Sequence, residues 1–304
     1  MPPLPPLSAV TRLLRRGVGN DRPGGGVGIA IDDEGIALVR LGGRPDGTPC
    51  LHADDPATGG HTLARLAADA GLRRAGCALV LPRTEYRLVI TTAPSVPEEE
   101  MAEAVRWRIQ DLVDFPVDDA VLDVFPMGDG NHRGGEELIY TVVAPHETVR
   151  RRIHQARNAG LRVHTVGIPE LALRNIAARL PEAPEGVMLV HPRPAYIGVL
   201  LVRGGRLFVA RGLQPDTSMG PELALENLLL EMQRALDYQS SHFGQAPIQH
   251  LAVLGDETLD PSALDYLGQS LRLTARFVEL DEVAPGLQGS TARCAVALGA
   301  ALGD

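Results

Sequence analysis

The chain carries nine histidines, and the first question is whether any of them is spaced to bind a metal. His61, His132, His146, His154 and His164 form no HExxH and no other paired-ligand spacing, so the arrangement that holds zinc on one helix face is missing. No GxSxG nucleophile elbow occurs, and Ser240-Ser241-His242 falls at the end of a predicted helix. All 29 basic residues are arginine. A P-loop lysine, a Schiff-base lysine and a lysine general base are therefore excluded. Cys50, Cys77 and Cys294 are far apart, odd in number and without a CxxC, which indicates neither a disulfide framework nor a cysteine-rich metal site. The acidic clusters Glu98 to Glu100, Asp118-Asp119 and Glu136-Glu137 each stand at the end of an element, where a solvated cap is their expected role. Nothing here builds a catalytic constellation, so the expectation is a protein that is not an enzyme and holds no metal.

One aromatic stands out by position. Met101, Val105, Ile109 and Leu112 make one stripe at helical spacing, preceded by Pro97 and three acids that suit a helix start and followed by Pro116. At about 100° per residue the stripe centres near 50° from Met101, whereas Trp107, the only tryptophan, falls at about 240°. Trp107 either packs into a second layer or faces a partner, for which tryptophan is a favoured anchor. We take it as the candidate partner-binding residue.

These residues are positioned by an α/β chain. At 304 residues, with 44% apolar and 22% charged, the chain suits about two globular domains, and aromatics at only 4% leave the core to aliphatic residues. The net charge of −9 argues against nucleic acid as a partner. No apolar run approaches about 18 residues, so no membrane span is predicted. Residues 1–26, with a proline-rich start and the run NDRPGGG, read as a flexible N-terminal tail. From Val27 the order is β-β-β, helix, β, helix, β, and the same order returns after Pro181, each time with its own insertions. The division expected is a first domain over 27–180 with an inserted subdomain at about 85–145, and a second over 181–290. A terminal helix then lies in 291–304.

Two stretches carry a family likeness: Thr91 to Phe125, TTAPSVPEEEMAEAVRWRIQDLVDFPVDDAVLDVF, and Glu222 to Phe243, ELALENLLLEMQRALDYQSSHF. With the opening VGIAIDDEGIALVRL, the Val253-Leu254-Gly255 turn and the ending ARCAVALGAAL, the chain resembles the PilM/MshI group of pilus-assembly proteins, the MshI branch most. The resemblance implies duplicated actin-like (ribonuclease H-like) domains with an inserted α/β subdomain, and a last helix that returns to the first domain. It also implies a place in the cytoplasm, peripheral to the inner membrane, in a type IV or MSHA-like pilus machine. There such proteins grip the cytoplasmic tail of a PilN-like bitopic protein among the other platform proteins. The nucleotide loops of that fold would map onto Asp32, Gly35 and Gly255. In this chain the first turn is Asp32-Asp33-Glu34-Gly35, the second is His191-Pro192-Arg193-Pro194, and the third is Gly255-Asp256-Glu257. Two prolines remove two N–H donors, and acids crowd the place of an anion. A degenerate site and no cofactor are expected; the alternative is an ATP-binding actin-like ATPase.

Overall fold

The computed structural model describes residues 26–42, 50–53, 59–129, 135–215, 220–255, 259–287 and 292–303. The tail 1–25, Asp256, Glu257, His132 and Thr291, on which parts of the sequence reading fall, lie outside the described residues.

In the first half, Val27–Asp32 (β1), Gly35–Arg40 (β2) and Cys50–Ala53 (β3) are followed by Gly59–Asp69 (α1) and Gly76–Val80 (β4). Then come Arg87–Thr92 (β5), Glu98–Arg106 (α2), Ala120–Pro126 (β6), Leu138–Pro145 (β7), His146–Asn158 (α3), Arg162–Gly167 (β8) and Pro169–Ala177 (α4). In the second, Val187–His191 (β9), Ile197–Arg203 (β10) and Arg206–Leu213 (β11) lead to Pro221–His242 (α5) and His250–Leu254 (β12). Pro261–Leu271 (α6), Thr274–Val278 (β13), Leu280–Val283 (α7) and Ala295–Leu302 (α8) complete it.

The two halves are built alike. The first sheet runs β3-β2-β1-β4-β8 and the second β11-β10-β9-β12-β13. In both, the first three strands are antiparallel, and the last two run parallel to the central one. The central strands read as unbroken apolar runs because helices cover both faces: all five residues of β9 are buried. The α/β duplication expected from the sequence is therefore present.

Between β4 and α3 the chain makes a third, antiparallel sheet of order β5-β7-β6. Its outer face takes α2, with Val105 and Ile109 against Leu122, Val124, Ile139 and Val143. Its inner face presents Val142 and Ala144 to Tyr86, Val166 and Leu171 of the first half. Tyr140 reaches further, to β11: its hydroxyl accepts from the Ala210 N–H (3.0 Å) and donates to the Phe208 carbonyl (3.3 Å).

The last helix lies on the first half. It packs on β1, β2 and β4 and along α4. Gly28 and Gly299 permit the approach: a Cβ on Gly28 would stand 1.9 Å from the Ala297 carbonyl oxygen, and one on Gly299 2.0 Å from that of Ala172.

Three details depart from the sequence reading. The helix expected to run toward Pro116 stops at Arg106, and Gln110–Leu112 form a 3-10 turn. The Arg106 guanidinium binds the carbonyls of Val117 and Ala120, drawing the following chain back across the helix end, and Leu112 is left exposed instead of joining the stripe. On α5 the buried positions are Leu228, Met232, Ala235 and Gln239, with Leu225, Leu229 and Leu236 half-buried on the flank. The spacing of Leu225, Leu229, Met232 and Leu236 predicts one buried stripe, and the face that is buried turns by about 60° from it. Cys294 is disulfide-bonded, against the expectation of no bridge; the fold brings the turn Ala292–Cys294 beside β3. Cys77 is buried in the core of the first half.

Candidate functional site

The two sheets present the carboxyl ends of their parallel strands to one another, the edge at which open α/β sheets place ligands. From the first half comes the turn Asp32–Gly35, where Gly35 adopts φ 143°, a conformation side chains disfavour. From the second comes the hairpin between β9 and β10. Two reciprocal backbone bonds close it, Arg193 N–H to Tyr196 O (3.1 Å) and Tyr196 N–H to Arg193 O (3.2 Å).

Glu34 crosses between them. One carboxylate oxygen accepts from the Ala195 N–H at 3.0 Å, and the other pairs with the Arg193 guanidinium. Both side chains are largely withdrawn from water, at 10% exposure for Arg193 and 21% for Glu34. Asp32 holds the turn by accepting from the Glu34 N–H (2.9 Å). Asp32 is exposed, yet the surrounding protein desolvates it and raises its pKa; the Glu34 hydrogen bond and Arg193 oppose that shift.

A second contact crosses deeper in. Arg83 follows β4 and lies between two tyrosine rings, 5.0 Å from the Tyr86 centroid and 5.8 Å from that of Tyr196. It pairs with Glu170 at the start of α4 (3.3 Å) and donates to the Tyr196 hydroxyl (3.4 Å). Tyr86, fully buried, donates to the other Glu170 oxygen. Burial, with Glu170 beside it, pushes the Tyr86 hydroxyl well above its ordinary range and keeps it a donor. Tyr196 lies on Gly212, where a Cβ would come within 1.6 Å of its hydroxyl.

The sequence-derived residues divide between two places. Asp32 and Gly35 form the cleft turn, and Gly255 ends β12 on the same edge as the hairpin. Gly255 is no close-approach cradle: a Cβ there would make ordinary contact, 3.6 Å from a Glu279 carboxylate oxygen. Trp107 is elsewhere. It caps α2 on the outer face of the inserted sheet and is 61% exposed. The cross-cleft residues Arg83, Tyr86, Glu170 and Tyr196 have no motif, and only the fold brings them together. Glu34 and Arg193 were visible as an acid and a base in the two turns, but their pairing was not.

A phosphate at this cleft would need N–H donors and cations. Pro192 and Pro194 offer no N–H, while the Ala195 N–H and the Arg193 guanidinium already hold Glu34. Among the described residues, this hairpin therefore leaves a phosphate neither its N–H nor its cation. Among the described residues, no group of three His, Cys, Asp or Glu could hold a metal ion, and no helix is long and apolar enough to cross a membrane.

Duplicated sheets of this order, joined at a cleft and closed by a returning helix, define the actin-like ATPase fold. A Bacteroides thetaiotaomicron protein of that fold and of unknown function is similar over 94% of this chain and 96% of its own, at 11% identity and a TM-score of 0.51. The structure of a PilM-PilN type IV pilus biogenesis complex is similar over 91% of this chain and 97% of the other, at 20% identity and a TM-score of 0.74. The cytoplasmic domain of EpsL, an inner membrane component of the type II secretion system of Vibrio cholerae, is similar over 90% and 93%, at 11% identity and a TM-score of 0.54. No protein-family model and no curated protein sequence matches the chain.

Proposed function

We propose that this chain is a non-catalytic scaffold of a pilus or secretion machine, working in the cytoplasm against the inner membrane and holding the tail of a PilN-like bitopic protein. An MSHA-like pilus is the finer assignment. The observation that carries the reading is Glu34: the second hairpin's cation and its free N–H both serve a carboxylate of the protein itself. The whole-length likeness to a protein solved in a PilM-PilN complex supports the choice of partner. Calorimetric titration with Mg-ATP is expected to give no micromolar binding, and the purified protein no steady phosphate release. Either signal would replace the scaffold with an actin-like ATPase. Pull-down from membrane extracts is expected to recover a bitopic pilus protein, and its absence would count against the partner.

Trp107 supplies a sharper test. At 61% exposure its ring contributes little to its own fold. As a partner anchor, Trp107→Ala is expected to weaken partner binding by about 2 kcal/mol, near 30-fold in Kd, with the melting temperature of the free protein unchanged. A fall in melting temperature without loss of binding would assign the ring to packing alone.

A further inference from the structure

We propose that the protein's own side chains latch its two halves shut, with the Glu34 carboxylate seated in the second hairpin as a bound anion would be and Tyr196 clamped beneath Arg83. The inference goes beyond the scaffold reading, since a partner's tail could be held with the cleft open or closed. It stands on two independent contacts that meet in one hairpin. In the first, Glu34 of one half takes the Ala195 N–H at 3.0 Å and the Arg193 guanidinium of the other. A charge-assisted pair with a backbone donor is the chemistry of an anion site, and at 10% and 21% exposure it is weakly screened by salt. In the second, Arg83 is fixed to its own half by Glu170 and to the other by the Tyr196 hydroxyl and ring. Tyr196 keeps its seat only because position 212 is glycine. The hairpin that joins the latches is itself rigid, closed by the paired backbone bonds of Arg193 and Tyr196. Closure is therefore the resting state and requires no ligand.

Hydrogen exchange on the full chain tests this. Glu34→Ala is expected to speed exchange of the Ala195 amide by at least about tenfold and to lower the melting temperature by roughly 3–8 °C. Gly212→Ala leaves every residue of the ion pair intact but evicts Tyr196, so it is expected to speed exchange at Ala195 as well. Wild-type protection of Ala195 in Glu34→Ala, or a Gly212→Ala effect confined to β11, would overturn the proposal. If Glu34→Ala does not fold, Glu34→Gln keeps the Ala195 bond and loses the charge. A melting temperature equal to wild type in that variant would overturn the latch equally. Failure of the partner reading would show in the pull-down and leave these exchange rates untouched.

Discussion

Gly28→Ala is expected to destabilise the folded protein by about 3–5 kcal/mol, a large part of a typical total of about 5–15. The added methyl would stand 1.9 Å from the Ala297 carbonyl oxygen and 2.7 Å from the Ala301 nitrogen. Both are backbone atoms of α8, so no rotamer change relieves the clash. The helix must move away from β1, and with it the contact of Gly299 on the Ala172 carbonyl along α4. Overpacking usually costs about 1–3 kcal/mol; the higher figure follows because a whole helix shifts and opens the core beneath it. Gly167→Ala is the control. It lies at the end of β8 with nothing within 4 Å of a Cβ, and its change is expected to stay within about 0.5 kcal/mol. Urea unfolding of both variants decides it: equal midpoints would mean that α8 is not seated on β1.

That close contact marks the limit of what the sequence discloses about the fold. Strands such as VMLVH and GIALVR are legible because a buried strand must be an apolar run, and the repeat of β-β-β, helix, β, helix, β follows from them. The reach of α2 was misread because its end is set by Arg106 bonding carbonyls 11 and 14 residues onward, a contact no periodicity encodes. The face of α5 was misread because leucines on a helix flank and leucines on its floor give the same pattern, and only packing against the sheet separates them. Gly28 reads as one more strand residue until α8 is brought against it.

The cleft was legible in outline only. Pro192 and Pro194 can be seen to lack N–H groups, and the acids of the first turn can be counted. What the sequence could not disclose is that one of those acids, Glu34, reaches 161 residues along the chain to Ala195. Arg83, Tyr86 and Glu170 were invisible for the same reason: each is ordinary in its own segment, and their arrangement exists only where β4, α4 and the second hairpin converge.

His191, at the root of that hairpin, is expected to make stability fall with acid. Its ring is buried, and Nε2 lies 3.2 Å from the Ala292 carbonyl, so the neutral ring donates there. Desolvation lowers its pKa to about 4 from an ordinary 6.5; the Ala292 bond opposes the shift and the Arg193 charge adds to it. A depressed folded-state pKa means that the unfolded chain takes the proton first. The contribution is therefore fully present above about pH 6.5 and is lost as pH falls from there toward 4. A gap of about 2.5 units corresponds to roughly 3 kcal/mol at its limit. Asp32 acts in the opposite sense: its raised pKa favours the fold at low pH and ceases to help as pH rises. His191→Gln keeps an amide donor near the Ala292 carbonyl and cannot be protonated in this range, so its stability is expected to vary far less between pH 7 and pH 4.5. Urea midpoints at several pH values for both proteins provide the comparison. Parallel curves would show that the acid sensitivity resides in other groups and that the His191 ring is not held neutral by the fold.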